Sequence, residues 1–162
     1  IVAHISFADP VCGGLRKIIY DAGKRLKFEM HDKGIYLNME GPAFSTRAES
    51  HLYKSWGMDI IGMTNMPEAR LAREAEMCFA TIALVTDYDS WHEEDVNIEM
   101  VIGNLLKNVD TAKNLIKEVM PRLSKERKCA CGEALKYAIV TDKKLITKNI
   151  KEKLDIIIGK YL

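Results

Sequence analysis

The chain has 162 residues, 48% hydrophobic and 29% charged, with a formal net charge of +1. That length supports one domain with a sizeable core, and the near-neutral balance leaves no basic footprint for nucleic acid or an anionic membrane surface. No apolar run approaches the roughly 18 residues of a membrane span and no signal peptide is visible, so the expected location is cytoplasmic.

In chain order the elements alternate. Residues 1–7 (IVAHISF) read as a strand, broken by Ala8, Asp9 and Pro10. The chain opens inside that strand without an initiating Met, which suggests that an N-terminal part of a larger protein is absent. Residues 15–26 carry apolar side chains at 15, 18, 19, 22 and 26, which is helical spacing. A short strand is expected over 34–39. A helix over 45–56 follows, stopped by Gly57 at its C′ position. A third strand is expected at 59–63, and Pro67 suits the first turn of a helix over 68–77.

Residues 79–85 have the length and β-branched content of a strand buried on both faces. A long helix is expected over 98–123, interrupted by Gly103 and ended near Pro121, followed by a charged loop at 124–131. Residues 134–141 are apolar but too short to type. Residues 148–161 form an amphipathic helix with Ile150, Leu154, Ile157, Ile158 and Tyr161 on one stripe, expected to pack at a subunit interface. Alternation of this kind argues for a three-layer α/β fold, a central mixed sheet flanked by helices. The main domain is read as 1–141, with a C-terminal helical extension over 142–162.

The stretch 79–93 (FATIALVTDYDSWHE) organises the rest, because an apolar strand runs directly into Asp87 and Asp89. Open α/β sheets place ligands at such carboxyl ends. If the strand geometry continues, both aspartates point to one side; the other reading is an ordinary polar loop. Three junctions, around 40–47, 63–67 and 86–92, then share one rim. They carry Phe44, Ser45, Thr46 and Arg47, then Met63, Thr64 and Asn65, then the aspartates. Hydroxyls at helix starts serve as caps; together they also suit an anion site beside an acid pair.

Cys12, Cys78, Cys129 and Cys131 are expected to be reduced thiols, with a Cys12–Cys78 bridge as an option. A bridge across the Cys129-Ala-Cys131 turn would be strained and easily reduced. No second Cys or His cluster lies near that turn in sequence, so no metal site is expected.

Three stretches carry a family resemblance: HISFADPVC at 4–12, EGPAFSTRAES at 40–50, and WGMDIIGMTNMPEARLAREAEMCFATIALVTDYDSWHE at 56–93. On these the chain resembles the methylthioadenosine phosphorylase branch of the trimeric purine nucleoside phosphorylases, over nearly all residues up to about 141. The resemblance implies phosphorolysis of 5′-methylthioadenosine to adenine and 5-methylthioribose 1-phosphate. A methylthioinosine or broad purine nucleoside phosphorylase is the alternative. It also implies a homotrimer or dimer of trimers, with phosphate as co-substrate and no metal or organic cofactor.

By the same resemblance Asp87 is the general acid that hands a proton to the departing base, a contribution of roughly 10²–10⁴ in rate. Asp89 accepts from the exocyclic amine of adenine, Phe44 stacks on the purine and Met63 contacts the ribose. Ser45 and Thr64 lie near phosphate. Ile98, Val101 and Ile102 line the methylthio pocket, with plain core packing as the other reading. His4 reaches a neighbouring subunit's pocket, against the alternative of a buried structural histidine. Two departures stand out. Ala43 occupies a position where the family motif commonly has Arg. The family's N-terminal third, with its glycine-containing phosphate loop and an Arg-His pair, has no counterpart here. If that segment is truly gone, a non-catalytic purine-binding or assembly remnant is expected instead.

Overall fold

The computed structural model describes residues 1–92 and 97–162. Glu93, the last residue of the organising stretch, lies outside them. The chain divides into two compact units: residues 1–16, 67–80 and 124–162 form the first, and residues 17–66 and 81–123 the second.

The second unit is built on a strand–helix–strand crossover. Strand β1 (Tyr36–Asn38) pairs in parallel with β2 (Ile60–Gly62), in the register Tyr36↔Ile60, Leu37↔Ile61, Asn38↔Gly62. A parallel pair needs a long connection, and here it is a helix, α2 (Arg47–Ser55). Thr46 caps α2 in a capping box: its side chain accepts from the Glu49 amide, and the Glu49 carboxylate accepts from the Thr46 amide at 2.7 Å. The Tyr36 hydroxyl occupies the space a side chain at position 62 would need, so β2 ends on a glycine. Helix α1 (Gly13–Arg25) runs into this unit, and α4 (Ile98–Val119) is tied to it by Arg25 Nε on Glu118 Oε1 at 3.0 Å.

Three helices end in the same way. After α2 the chain turns through Gly57 at φ +76°, with the Gly57 amide on Lys54 O and the Met58 amide on Tyr53 O. This is a left-handed C-terminal cap, and its glycine is the residue the sequence signals. Helix α1 repeats the pattern through Lys27 (φ +59°), and α3 (Met66–Glu74) repeats it through Glu76 (φ +55°). Neither position carries a glycine, so neither was visible in the sequence.

In the first unit residues 1–7 form an isolated antiparallel bridge, Ala3↔Ile139, rather than a strand. It is flanked by bonds from the His4 amide to Ala138 O (2.8 Å) and from the Val140 amide to Val2 O (2.9 Å). The untyped apolar segment after 134 is thus the partner of the chain's first residues. Helix α5 (Lys148–Ile158) lays Leu154 and Ile158, with Tyr161 beyond its end, against Leu135, Ala138, Ile5 and Ile139. Of the predicted stripe, Leu154, Ile158 and Tyr161 pack within this unit, while Ile157 is exposed.

A buried carboxylate locks these pieces. Glu76 Oε1 accepts from the Leu135 amide at 2.9 Å and from the Tyr161 hydroxyl at 2.5 Å, and Oε2 accepts from the Lys160 ammonium. Burial raises the Glu76 pKa, but the bonds from Lys160, Tyr161 and Leu135 outweigh it and hold the group below the ordinary carboxylate range.

The buried strand expected over 79–85 is corrected by the structure. No ladder forms there; Leu84 and Val85 are exposed, Val85 at 61%. A strand is defined by neighbours that exchange backbone bonds, and apolar content alone supplies none. This segment takes the Cys12 amide on Phe79 O at 2.7 Å, and side-chain amides further on. The only named sheet among the described residues is the parallel β1–β2 pair.

Candidate functional site

The rim inferred from the three junctions is present in the second unit. Because β1 and β2 are parallel and in register, Asn38 and Gly62 leave the sheet at the same edge. Asn38 Oδ1 accepts from the amides of both Asn65 and Met66 at 2.8 Å, binding the first junction to the second and capping the opening of α3. Thr81 Oγ1 donates to Asn65 Oδ1 at 2.6 Å. Ser90 Oγ donates to Ser45 O at 3.4 Å, which joins the third junction to the first. Gly41 is fixed by two demands: φ is +70°, and a Cβ there would stand 2.7 Å from Met63 Sδ.

The aspartate segment is held by α4. Asn104 Nδ2 donates to Thr86 O at 2.7 Å and Asn108 Nδ2 donates to Val85 O at 2.8 Å. These two carboxamides, one turn apart, take the place of a neighbouring strand. Thr86 Oγ1 donates to Asp87 Oδ1 at 2.5 Å. The backbone bends at Asp87, so strand alternation does not carry across to Asp89, and both side chains are half-buried. An aromatic group follows. Tyr88 stacks on His92 with ring centroids 4.6 Å apart and planes 8° from parallel, Trp91 meets both rings edge-on, and the Lys54 ammonium lies 3.4 Å over Trp91.

The structure places the remaining candidates as follows. Phe44 is 85% exposed, its ring free of the core. Met63 is half-buried against Gly41, and Thr64 is exposed. Ser45 is buried, with its hydroxyl 3.8 Å from Met39 Sδ. Ile98 and Ile102 are 74% and 52% exposed, and Val101 is half-buried. The three positions, i, i+3 and i+4 of α4, share one helical face. His4 lies in the first unit and is exposed.

Asn38, Asn104 and Asn108 were missed in the sequence. The signal was available: asparagine is disfavoured inside strands and helices, and three sit there facing the chain's own backbone. The metal exclusion also rested on sequence spacing. In the first unit the Sγ atoms of Cys12, Cys78, Cys129 and Cys131 all lie within 4.8 Å of one another. Burial pushes the Cys131 thiol up to about 12 and the Cys78 thiol up to about 11. The Cys131 amide and the Cys78 thiol, both bonded to Cys129, hold that group down to about 7.

Residues 2–121 match the family described as "Phosphorylase superfamily", and the chain belongs to it. The branch read from the motifs is borne out by its relatives. The chain is 53% identical over 164 residues to the S-methyl-5'-thioadenosine phosphorylase of Geobacter sulfurreducens, covering 100% of this chain and 57% of that protein. It is 51% identical over 168 residues to the protein of that name from Thermosynechococcus vestitus, covering 100% and 58%. A methylthioadenosine phosphorylase from an antarctic soil metagenomic library superposes with a TM-score of 0.88 at 43% identity, covering 96% of this chain and 56% of that one. The Schistosoma mansoni methylthioadenosine phosphorylase in complex with adenine gives a TM-score of 0.73 at 33% identity, covering 83% and 54%. The α/β fold is that of the superfamily, and the chain spans a little over half the length of these relatives.

Proposed function

We propose that this chain carries the purine and methylthio side of a phosphorylase that cleaves 5′-methylthioadenosine, with phosphate as co-substrate, to adenine and 5-methylthioribose 1-phosphate. The observation that carries this reading is the Thr86–Asp87 pair, tethered by Asn104 and Asn108 at the joined rim. A hydroxyl on Asp87 Oδ1 fixes the carboxyl orientation and leaves Oδ2 as the oxygen that gives a proton to the leaving purine. Asp89 accepts from the 6-amino group; a 6-oxo base would present a second acceptor there. Phe44, projecting from the rim, is the stacking surface, and Met63 contacts the ribose. Ser45 and Thr64 lie on the phosphate side, and the exposed Ile98 and Ile102, with Val101, line the methylthio pocket. His4 reaches the pocket of a neighbouring subunit in a cytoplasmic homotrimer or dimer of trimers, and the reaction serves purine and methionine salvage.

Adenine release from methylthioadenosine, with and without phosphate, tests this. Phosphate-dependent release that falls about 10²–10⁴-fold in Asp87→Asn is the expected result; release at the unaltered rate in that variant overturns it. Adenine binding without release in either condition also overturns it, in favour of a purine-binding module without turnover.

A further inference from the structure

We propose that Cys12, Cys78, Cys129 and Cys131 form a structural zinc site, four thiolates closing around one tetrahedral Zn²⁺. The cysteines come from three separate stretches, yet all four Sγ atoms fall within 4.8 Å of one another. At a Zn–S distance of about 2.3 Å, the edges of a regular tetrahedron of sulfurs are about 3.8 Å. The cluster needs only small side-chain adjustments to reach that figure. Cys78 Sγ and Cys129 Sγ are already 3.4 Å apart. The space among the sulfurs suits a single ion rather than a cluster of several irons.

Each thiol is delivered by a defined piece of backbone. Cys12 is the residue from which α1 starts: its carbonyl accepts from the Arg16 amide, and its own amide donates to Phe79 O at 2.7 Å, which brings it beside Cys78. Cys78 follows directly on the left-handed turn at Glu76 and Met77 that ends α3. Cys129 and Cys131 flank one alanine where a short 3-10 turn opens. Cys12 and Cys131 are buried, and Cys78 and Cys129 are half-buried, so the four leave no open coordination position. A closed all-thiolate set of this kind is structural rather than catalytic.

The surroundings suit the double negative charge of a zinc tetrathiolate. The N-terminus of α1 presents its free amides at Cys12. The Arg127 guanidinium lies beside the Cys129–Gly132 turn, its Nη2 2.9 Å from where a Gly132 side chain would begin, and its Nη1 donates to Glu76 O at 2.6 Å. Binding exchanges thiol protons for the metal, and the protons pass to solvent with no oxidant or reductant consumed. The ion would pin residues 12, 78 and 129–131 together in the unit where no strand ladder does so.

The test uses the whole chain, purified under reductant with zinc present and no chelator. The expected results are about one zinc per chain by elemental analysis and loss of that zinc in Cys129→Ser. A drop in Tm on removal with a strong chelator and its recovery on adding zinc are also expected. Because a serine variant can fail to fold, the unaltered chain is also stripped and loaded with Co²⁺. The intense visible bands of a tetrahedral Co²⁺–thiolate centre support the site. Three outcomes overturn the proposal: substoichiometric metal with a Tm indifferent to chelator, a Co²⁺ spectrum without thiolate ligation, or a mass showing disulfides in protein kept under reductant.

Discussion

Removing the Glu76 carboxylate tests how the first unit is held together. In Glu76→Ala the buried Leu135 amide loses its acceptor, which alone costs about 1–3 kcal/mol. The Lys160 ammonium is more than half exposed and is rehydrated when the carboxylate goes, so the loss stays within that range. In a chain of 162 residues that is a fall in Tm of about 2–12 °C. Glu76→Gln separates the contributions, because both the Leu135 and Tyr161 bonds fall on Oε1. A glutamine oxygen can keep that position while its NH₂ faces the Lys160 ammonium, donor against donor. Its loss should be less than half that of the alanine variant. Glu76→Gly should recover about 1 kcal/mol of the alanine loss, since the backbone there is left-handed.

The pH dependence has a definite sign. The folded Glu76 pKa lies below the unfolded value of about 4.3, so its contribution is full above that pH. It is lost as pH falls toward the lower, folded value, because the unfolded chain takes up the proton first. Thermal unfolding between neutral and acid pH, followed by circular dichroism, should show a flatter acid limb in Glu76→Gln than in the unaltered chain. An alanine variant within 0.5 °C or so of the parent, or an unchanged acid limb in the glutamine variant, refutes the reasoning.

Asn38→Ala removes the acceptor for two amides at the start of α3 and should cost about 1–2 kcal/mol by urea unfolding, whereas Asn38→Asp keeps the acceptor and most of the stability. Lys27→Gly relieves a left-handed backbone and should stabilise by about 0.5–1 kcal/mol in the same assay. Gly103→Ala should do likewise, since a Cβ at that helical position meets nothing within 4 Å. Asp89→Asn should move preference from methylthioadenosine toward methylthioinosine; equal loss of kcat/KM with both substrates refutes the base-recognition role.

The local code was readable where one residue type answers one local demand. Gly57 marked the end of α2, and the periodicity at 15–26 gave α1 to within two residues at each end. The motifs at 40–50 and 56–93 carried the family, because long matched stretches survive any error in assigning elements. What pairs with what was not local. Residues 79–85 have a strand's composition but form no ladder, and at their end Val85 O and Thr86 O take carboxamides from α4, since a strand exists only through its neighbours. Lys27 and Glu76 hold left-handed turns that no glycine announces; at Glu76 the contacts of the side chain offset the backbone's strain. The four cysteines did not read as a metal site because their spacing along the chain fits no metal hook. Their distance in space is set by where α1 begins, where α3 ends and how residues 129–131 turn, and tertiary packing alone decides that.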